Sequence, residues 1–274
     1  MDCTAQREGA LKDHLCLITA VDVEFKAAVS VIPDAVLDRR DGFRICRGHS
    51  GAGRITVYQA GMSAAGFPEF LTEQLPREDF TALVVAGLAG SLDRSLNRCD
   101  AVVYDTCYDL RNLSDFESSN KTPSVRDEFE SIPCDPAFSL ALHEFLSREG
   151  ISCRIGSGAT IDRIVISSEE KIRLGGYSAA LAVDMETYQL LAAARECGLR
   201  AAAVRIISDD ADQDLPDFNR ATDDRGRMRT GKLLAVMAQT PVASANFIRG
   251  IGPVTRTLRG ILATITSRQL VKPL

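Results

Sequence analysis

At 274 residues the chain is long enough to bury about three quarters of its unfolded surface, so neither disulfide nor metal staples are needed. With 45% apolar and 25% charged residues it has a globular balance, which excludes wholesale disorder. A net charge of −5, no Trp and only 6% aromatic residues argue against a nucleic-acid partner, which calls for a basic surface or stacking rings.

Residues 1–13, MDCTAQREGALKD, read as a polar extension. They lack the basic and apolar regions of a signal peptide, so a cytoplasmic protein with reduced thiols is expected. The eight cysteines are scattered without a C-x-x-C pair or a neighbouring pair of histidines. No metal site and no cofactor are expected, and Cys16, Cys46 and Cys153 read as small core hydrophobes inside strand-like runs.

From residue 14 onward, short apolar runs alternate with helical patterns. LCLITAV (residues 15–21) predicts a buried strand and VEFKAAVSVI a helix. RITVYQAG (54–61) and TALVVAGLAG (81–90) predict strands, separated by a helix around 64–75. AVVYDTCYDL (101–110) is another strand-like run, and the polar, turn-rich residues 111–134 read as a loop or lid. Residues 135–149 give the clearest helix signal. Asp135 is its N-cap and Pro136 suits its first turn; Phe138, Leu142, Phe145 and Leu146 share a face, and Gly150 stops it. ISCRIGSG, AALAVDM and RAAAVRIIS predict three further strands, with a small-residue helix over 187–197. This alternation predicts a single α/β domain over 14–274, with a central mixed β-sheet flanked by helices.

Two Gly-rich segments stand out. GHSGAG (48–53) lies between strand-like runs and reads as a hairpin connection. It neither follows the first strand nor opens a helix, which argues against a dinucleotide fingerprint and hence an oxidoreductase. GLAGS (87–91) directly follows the buried run ALVVA. There, glycines either admit a ligand to backbone N–H groups or simply make a tight turn.

Three carboxylates close apolar runs: Glu24 after LITAVDV, Glu186 after AALAVDM, and Asp209 after AAAVRIIS. Converging from neighbouring strand ends, three acids suit an oxocarbenium-like transition state. One protonates a leaving group, another activates water and a third holds hydroxyls. His14, ahead of the first strand, His49 in the hairpin and His143 on a helix do not form a competing constellation, and no G-x-S-x-G elbow is present.

The block AVDMETYQLLAAARECGLRAAAVRIISDDAD (182–212) resembles the signature of the nucleoside phosphorylase/nucleosidase superfamily, and most of all methylthioadenosine/S-adenosylhomocysteine nucleosidases. LITAVDVE resembles that family's first strand, which ends in a catalytic Glu, and QAGMSAAG (59–66) and VVAGLAGSLD (84–93) resemble its glycine turns. The likeness spans residues 14–215. It implies that Asp209 is the general acid toward a purine N7 and that Ser208 orients its carboxyl. It also implies that Glu186 accepts ribose hydroxyls, that Met185 packs under the sugar and that Glu24 deprotonates the attacking water. Met62, Ala89 and Gly90 would line the substrate site. Mid-strand Arg205 reads instead as a buried charge paired with a carboxylate. The resemblance further implies a small-molecule nucleoside substrate and a homo-oligomer.

Two departures bear on the substrate. Leu88 stands where relatives often carry Ser or Thr, and the region after Gly158 lacks their adenine-stacking aromatic segment. GATIDRIVISSEEK and LPDFNRATDDRGRMRT look more like a branch associated with hopanoid lipid synthesis, whose implied reaction releases adenine from adenosylhopane. The function expected is that of a purine nucleosidase. The alternatives are a phosphate-dependent phosphorylase and a non-catalytic nucleoside-binding protein of the same fold. Phosphorylases of this family often place an Arg where Val85 stands, which favours hydrolysis; Arg44, Arg47 and Arg54 are the remaining candidates for a phosphate contact.

Residues 225–274 hold nine Lys/Arg and no Asp or Glu, leaving −14 on the rest of the chain. Val254, Leu258, Ile261 and Leu262 recur at helical spacing, with Arg256 and Arg259 off that stripe. The segment reads either as a terminal helix packed on the acidic body or as a surface helix making peripheral contact with anionic lipid.

Overall fold

Runs such as LCLIT and ALVVA carry apolar side chains on both faces, so a strand made from them must be covered on both sides. The computed structural model, which describes residues 13–50, 53–112, 129–221 and 230–267, covers them in that way. In β1 (His14–Thr19) Leu15 and Leu17 enter one core, and Cys16 and Ile18 the other. The first core is completed by α1 (Asp22–Val29), α3 (Pro136–Arg148) and α7 (Pro241–Ser267). The second is completed by α2 (Phe67–Gln74) and α5 (Thr187–Glu196). The result is a helix–sheet–helix α/β domain, as expected from the sequence.

Ten strands form one mixed sheet among the described residues. β2 (Val36–Arg40), β3 (Phe43–Ser50) and β4 (Gly53–Gln59) form an antiparallel meander, and β4 runs parallel to β1. The pairing Ser50↔Gly53 makes GHSGAG the hairpin connection its flanks suggested. β1 is also parallel to β5 (Ala82–Ser91), which is parallel in turn to β10 (Ala201–Asp209). β10 pairs antiparallel with β6 (Ala101–Asp109), β6 pairs parallel with β8 (Cys153–Thr160), and β8 pairs parallel with β9 (Ala182–Asp184). β9 returns antiparallel to β5. Five strands (β5, β10, β6, β8 and β9) therefore close into a ring, with β1 to β4 extending from it. The seam sets Asp209 opposite Gly90, and Gly90 opposite Val183.

Several elements depart from the sequence reading. GLAGS makes no turn, because β5 runs on through Ser91. His14 does not precede the first strand but opens it, with its ring nitrogens taken by Asp79 and Thr56. The 111–134 segment ends in a short strand, β7 (Ser131–Pro133), on β6; residues 113–128 lie outside the described residues, as do 1–12. β2, all exposed, and α4 (Ser168–Ser178) had no periodic apolar signal. Asp135 does cap α3, accepting the Phe138 N–H at 2.8 Å.

The basic C-terminal segment forms α6 (Thr230–Gln239) and α7. Val254, Leu258, Ile261 and Leu262 are wholly buried against the body, while Arg256 and Arg259 face out. The apolar stripe is thus spent on internal packing. No helix among the described residues is long and apolar enough to cross a membrane.

Candidate active site

The parallel strands β1, β5 and β10 end at the same edge of the sheet, where such folds hold ligands. Glu24 arrives there in the first turn of α1, whose leading N–H groups have no intrahelical partners. Its Oε2 accepts from the backbone N–H of Ala20 (2.7 Å) and Val21 (3.0 Å), and its Oε1 accepts from that of Leu88 on β5 (2.8 Å). Burial pushes this carboxyl above the ordinary range, against the pull of Arg205 and the three N–H groups.

Glu186 follows β9 and directly precedes α5. Its Oε1 accepts the Ser63 N–H at 3.0 Å, and its Oε2 lies 3.5 Å from the Arg205 guanidinium. That N–H is presented by a turn after β4 in which Ser63 and Ala64 take positive φ (56° and 48°), a conformation that is costly for residues with a Cβ. Burial drives the Glu186 carboxyl up to about 8, with Arg205 opposing and Asp184 and Glu24 adding to the rise.

Arg205 is the buried, paired charge that its mid-strand position suggested. Its Nε lies 3.2 Å from Asp184 Oδ2, and Nε and Nη2 both donate to Thr187 Oγ1. Asp184 also accepts from Tyr104, Thr160 and the backbone N–H groups of Glu186 and Thr187, so it is saturated and anchors the start of α5. A Cβ at Gly87 would stand 2.6 Å from Arg205 Nη1 and 2.7 Å from Glu24 Oε1. The first glycine of GLAGS is therefore needed for side-chain packing rather than for a turn.

Asp209 closes β10. Its Oδ1 is 2.6 Å from Ser208 Oγ, and its Oδ2 is 2.6 Å from Nζ of Lys171, a wholly buried residue of α4. Ser208 Oγ also lies 3.1 Å from the Ala89 carbonyl, which ties β10 to β5 beside the acid.

All eight residues singled out in the sequence (Glu24, Met62, Ala89, Gly90, Met185, Glu186, Ser208 and Asp209) line one cavity of about 200 Å³. Sequence reasoning missed Lys171 and Asp184, and it missed an apolar wall of the cavity. That wall carries Phe218 and Phe247, with ring centroids 4.9 Å apart, and Ile251 of α7. The aromatic rings of the lining thus come from the C-terminal part of the chain and not from the region after Gly158. Arg44, Arg47 and Arg54 do not line the cavity; they pair with Asp22, with Asp38 and Glu78, and with Asp79 respectively. Among the described residues, the one His/carboxylate group at metal-ligand spacing is His14–Glu78–Asp79, also outside the cavity.

The sequence model of the Phosphorylase superfamily matches residues 14–238. Among proteins of known activity, the purine nucleoside phosphorylase DeoD-type of Geobacillus stearothermophilus is 25% identical over 160 residues, covering 57% of this chain and 63% of that protein. The chain thus spans less than two thirds of that relative's length. Two of the similar solved structures are methylthioadenosine/S-adenosylhomocysteine nucleosidases. The Helicobacter pylori enzyme has a TM-score of 0.67 at 17% identity, over 91% of this chain and 97% of that one. The Neisseria meningitidis enzyme has a TM-score of 0.69 at 15% identity, over 93% and 99%. A futalosine hydrolase of Helicobacter pylori has a TM-score of 0.64 at 19% identity, over 88% and 97%. At these identities the likeness is one of fold.

Proposed function

We propose that this chain, which belongs to the phosphorylase superfamily, hydrolyses the N-glycosidic bond of an adenine nucleoside. Asp209 protonates the base at N7 so that it leaves neutral, and the C1′–N9 electron pair departs with it. Glu186 accepts hydrogen bonds from the ribose hydroxyls, with Met185 beneath the sugar. Glu24 takes a proton from the water whose oxygen bonds to C1′. Solved nucleosidases and a hydrolase of similar fold support this reading.

The observation that carries hydrolysis over phosphorolysis is the setting of Glu24. Three backbone N–H groups converge there, an arrangement suited to an anion, and the chain's own carboxylate occupies all three. A phosphate would have to displace a like charge. Val85, buried in β5, brings no cation there, and Arg163, which lines the cavity, is paired with Glu170 at 2.6 Å. Incubation of adenine nucleosides with and without phosphate, with chromatography of the products, is expected to give free base and free sugar at equal rates. A sugar 1-phosphate formed only with phosphate would establish the phosphorylase reading, toward which the DeoD-type relative points. Nucleoside binding with no base released from any substrate would establish the non-catalytic reading.

The cavity's apolar wall favours an apolar 5′ substituent, because Phe218, Phe247 and Ile251 offer it no polar partner. A lipid-linked nucleoside such as adenosylhopane fits that wall and would need a docking surface at the bilayer. Ile248, 54% exposed, and the exposed Arg249, Arg256 and Arg259 lie on the helix that carries Phe247 and Ile251. Each Arg near anionic lipid contributes about 1 kcal/mol. Replacing all three by Gln is therefore expected to weaken binding to anionic vesicles roughly 100-fold in a sedimentation assay. These positions leave the buried stripe of α7 intact, whereas deleting the helix would remove part of the core. Absence of the intact protein from pelleted anionic vesicles at low salt would refute membrane contact.

A further inference from the structure

Lys171 lies outside the cavity and is wholly buried, yet its ammonium ends on the proposed general acid. Its three N–H bonds are all used: Nζ donates to Asp209 Oδ2 at 2.6 Å, to the Gln213 carbonyl at 2.7 Å and to the Asp210 carbonyl at 3.1 Å. A buried ammonium with two carbonyls and a carboxylate around it is held in place, and among the described residues its carboxylate partner within bonding distance is Asp209.

We propose that Lys171 is a positioning residue for Asp209, directing the acid's proton to Oδ1 and stabilising the carboxylate left when that proton reaches the base. The proposal rests on the nucleosidase reading above. An ammonium has no lone pair, so a proton on Oδ2 directed at Lys171 would face the N–H that points there and find no acceptor. Oδ1 meets Ser208 Oγ at 2.6 Å, and that hydroxyl accepts when its own hydrogen points to the Ala89 carbonyl 3.1 Å away. The neutral acid is therefore protonated at Oδ1. On transfer, the O–H pair stays on the carboxylate and the proton bonds to N7. The new negative charge then lies beside a cation already in place, which is how a preorganised site lowers a barrier. Lys171 also clamps the chain after Asp209 through two carbonyls, so the carboxylate cannot swing away as it becomes charged.

A lysine that merely held the loop would matter equally for every substrate. One that acts through the acid matters only where the leaving group needs a proton. The test uses the full chain and two substrates: adenosine, and p-nitrophenyl β-D-riboside, whose leaving group departs as a stable anion. Lys171→Met is expected to lower kcat for adenosine about 100-fold, the loss typical of a misplaced reacting group. Its KM should stay within a factor of a few, and turnover of the p-nitrophenyl riboside should fall less than 5-fold. The double variant with Asp209→Asn should be no slower than Asp209→Asn alone, since residues acting as a unit are not additive. Should Lys171→Met fail to fold, Lys171→Gln, which keeps an amide donor for a carbonyl, serves in the same comparisons. Equal losses on both substrates, or multiplicative losses in the double variant, would overturn the proposal. If Asp209→Asn itself slows both substrates equally, the general-acid reading falls, and that outcome is distinct from a failure at Lys171 alone.

Discussion

Asp209→Asn should fold normally and lose about 10²- to 10⁴-fold in kcat toward adenine nucleosides, the usual contribution of a positioned general acid. That corresponds to roughly 2.7–5.4 kcal/mol of barrier. The amide fills the same space, still accepts from Lys171 through its oxygen and still meets Ser208, so the seam between β5 and β10 is preserved. What it lacks is the proton. Unchanged thermal melting together with collapsed turnover is the expected pair of results; a variant that keeps most of its activity would remove Asp209 from the chemistry.

Glu24→Gln should show a comparable loss, about 10²- to 10⁴-fold, with the water no longer deprotonated. It should also lose stability. The carboxylate accepts from three N–H groups through both oxygens, and an amide must turn its NH2 toward one side of that set. A buried donor left facing another donor costs about 1–3 kcal/mol, visible as a lower Tm. The pH profile adds a second measurement. Because burial raises the Glu24 carboxyl above its ordinary 4.5, the acid limb of kcat/KM should lie above that value and vanish in the variant. Stability runs the opposite way. Glu24 and Glu186 both bind protons more tightly folded than unfolded, so their contribution is full below about 4.5 and is lost as pH rises toward about 8, the Glu186 value. A Tm of the ligand-free protein that climbs across that range on account of these groups would contradict their burial.

The three acids were legible because a carboxylate that closes a largely apolar run is a local anomaly, visible within ten residues. The fold class was legible for a similar reason: strands buried on both faces leave continuous apolar runs. Other features depend on partners far along the chain. SSEEKIR carries no periodic apolar signal, and nothing in it shows that Lys171 reaches Asp209, thirty-eight positions on. Phe218, ahead of the basic tail, and Phe247, within it, gave no local sign of a shared wall, and the tail's helical stripe advertised packing rather than a cavity. GLAGS looked like a turn because glycine most often marks one; here Gly87 yields room to Arg205 and Glu24, which no local pattern reveals. β2, with the sequence VLDRR and every residue exposed, lacks the alternation that marks a strand.

The closed ring of five strands also governs when the three acids of the candidate site come together. Its seam joins Leu83 to Ala201, so a long stretch of chain must be gathered before those strands can pair, and that entropic cost slows folding. During synthesis β10 emerges last of the strands described, and it carries Asp209 at its end. Glu24 and Glu186 are already out of the ribosome by then, on segments that precede it. A nascent chain with most of its sheet in place still lacks Asp209, and that carboxylate joins Glu24 and Glu186 only when the final strand docks between β5 and β6.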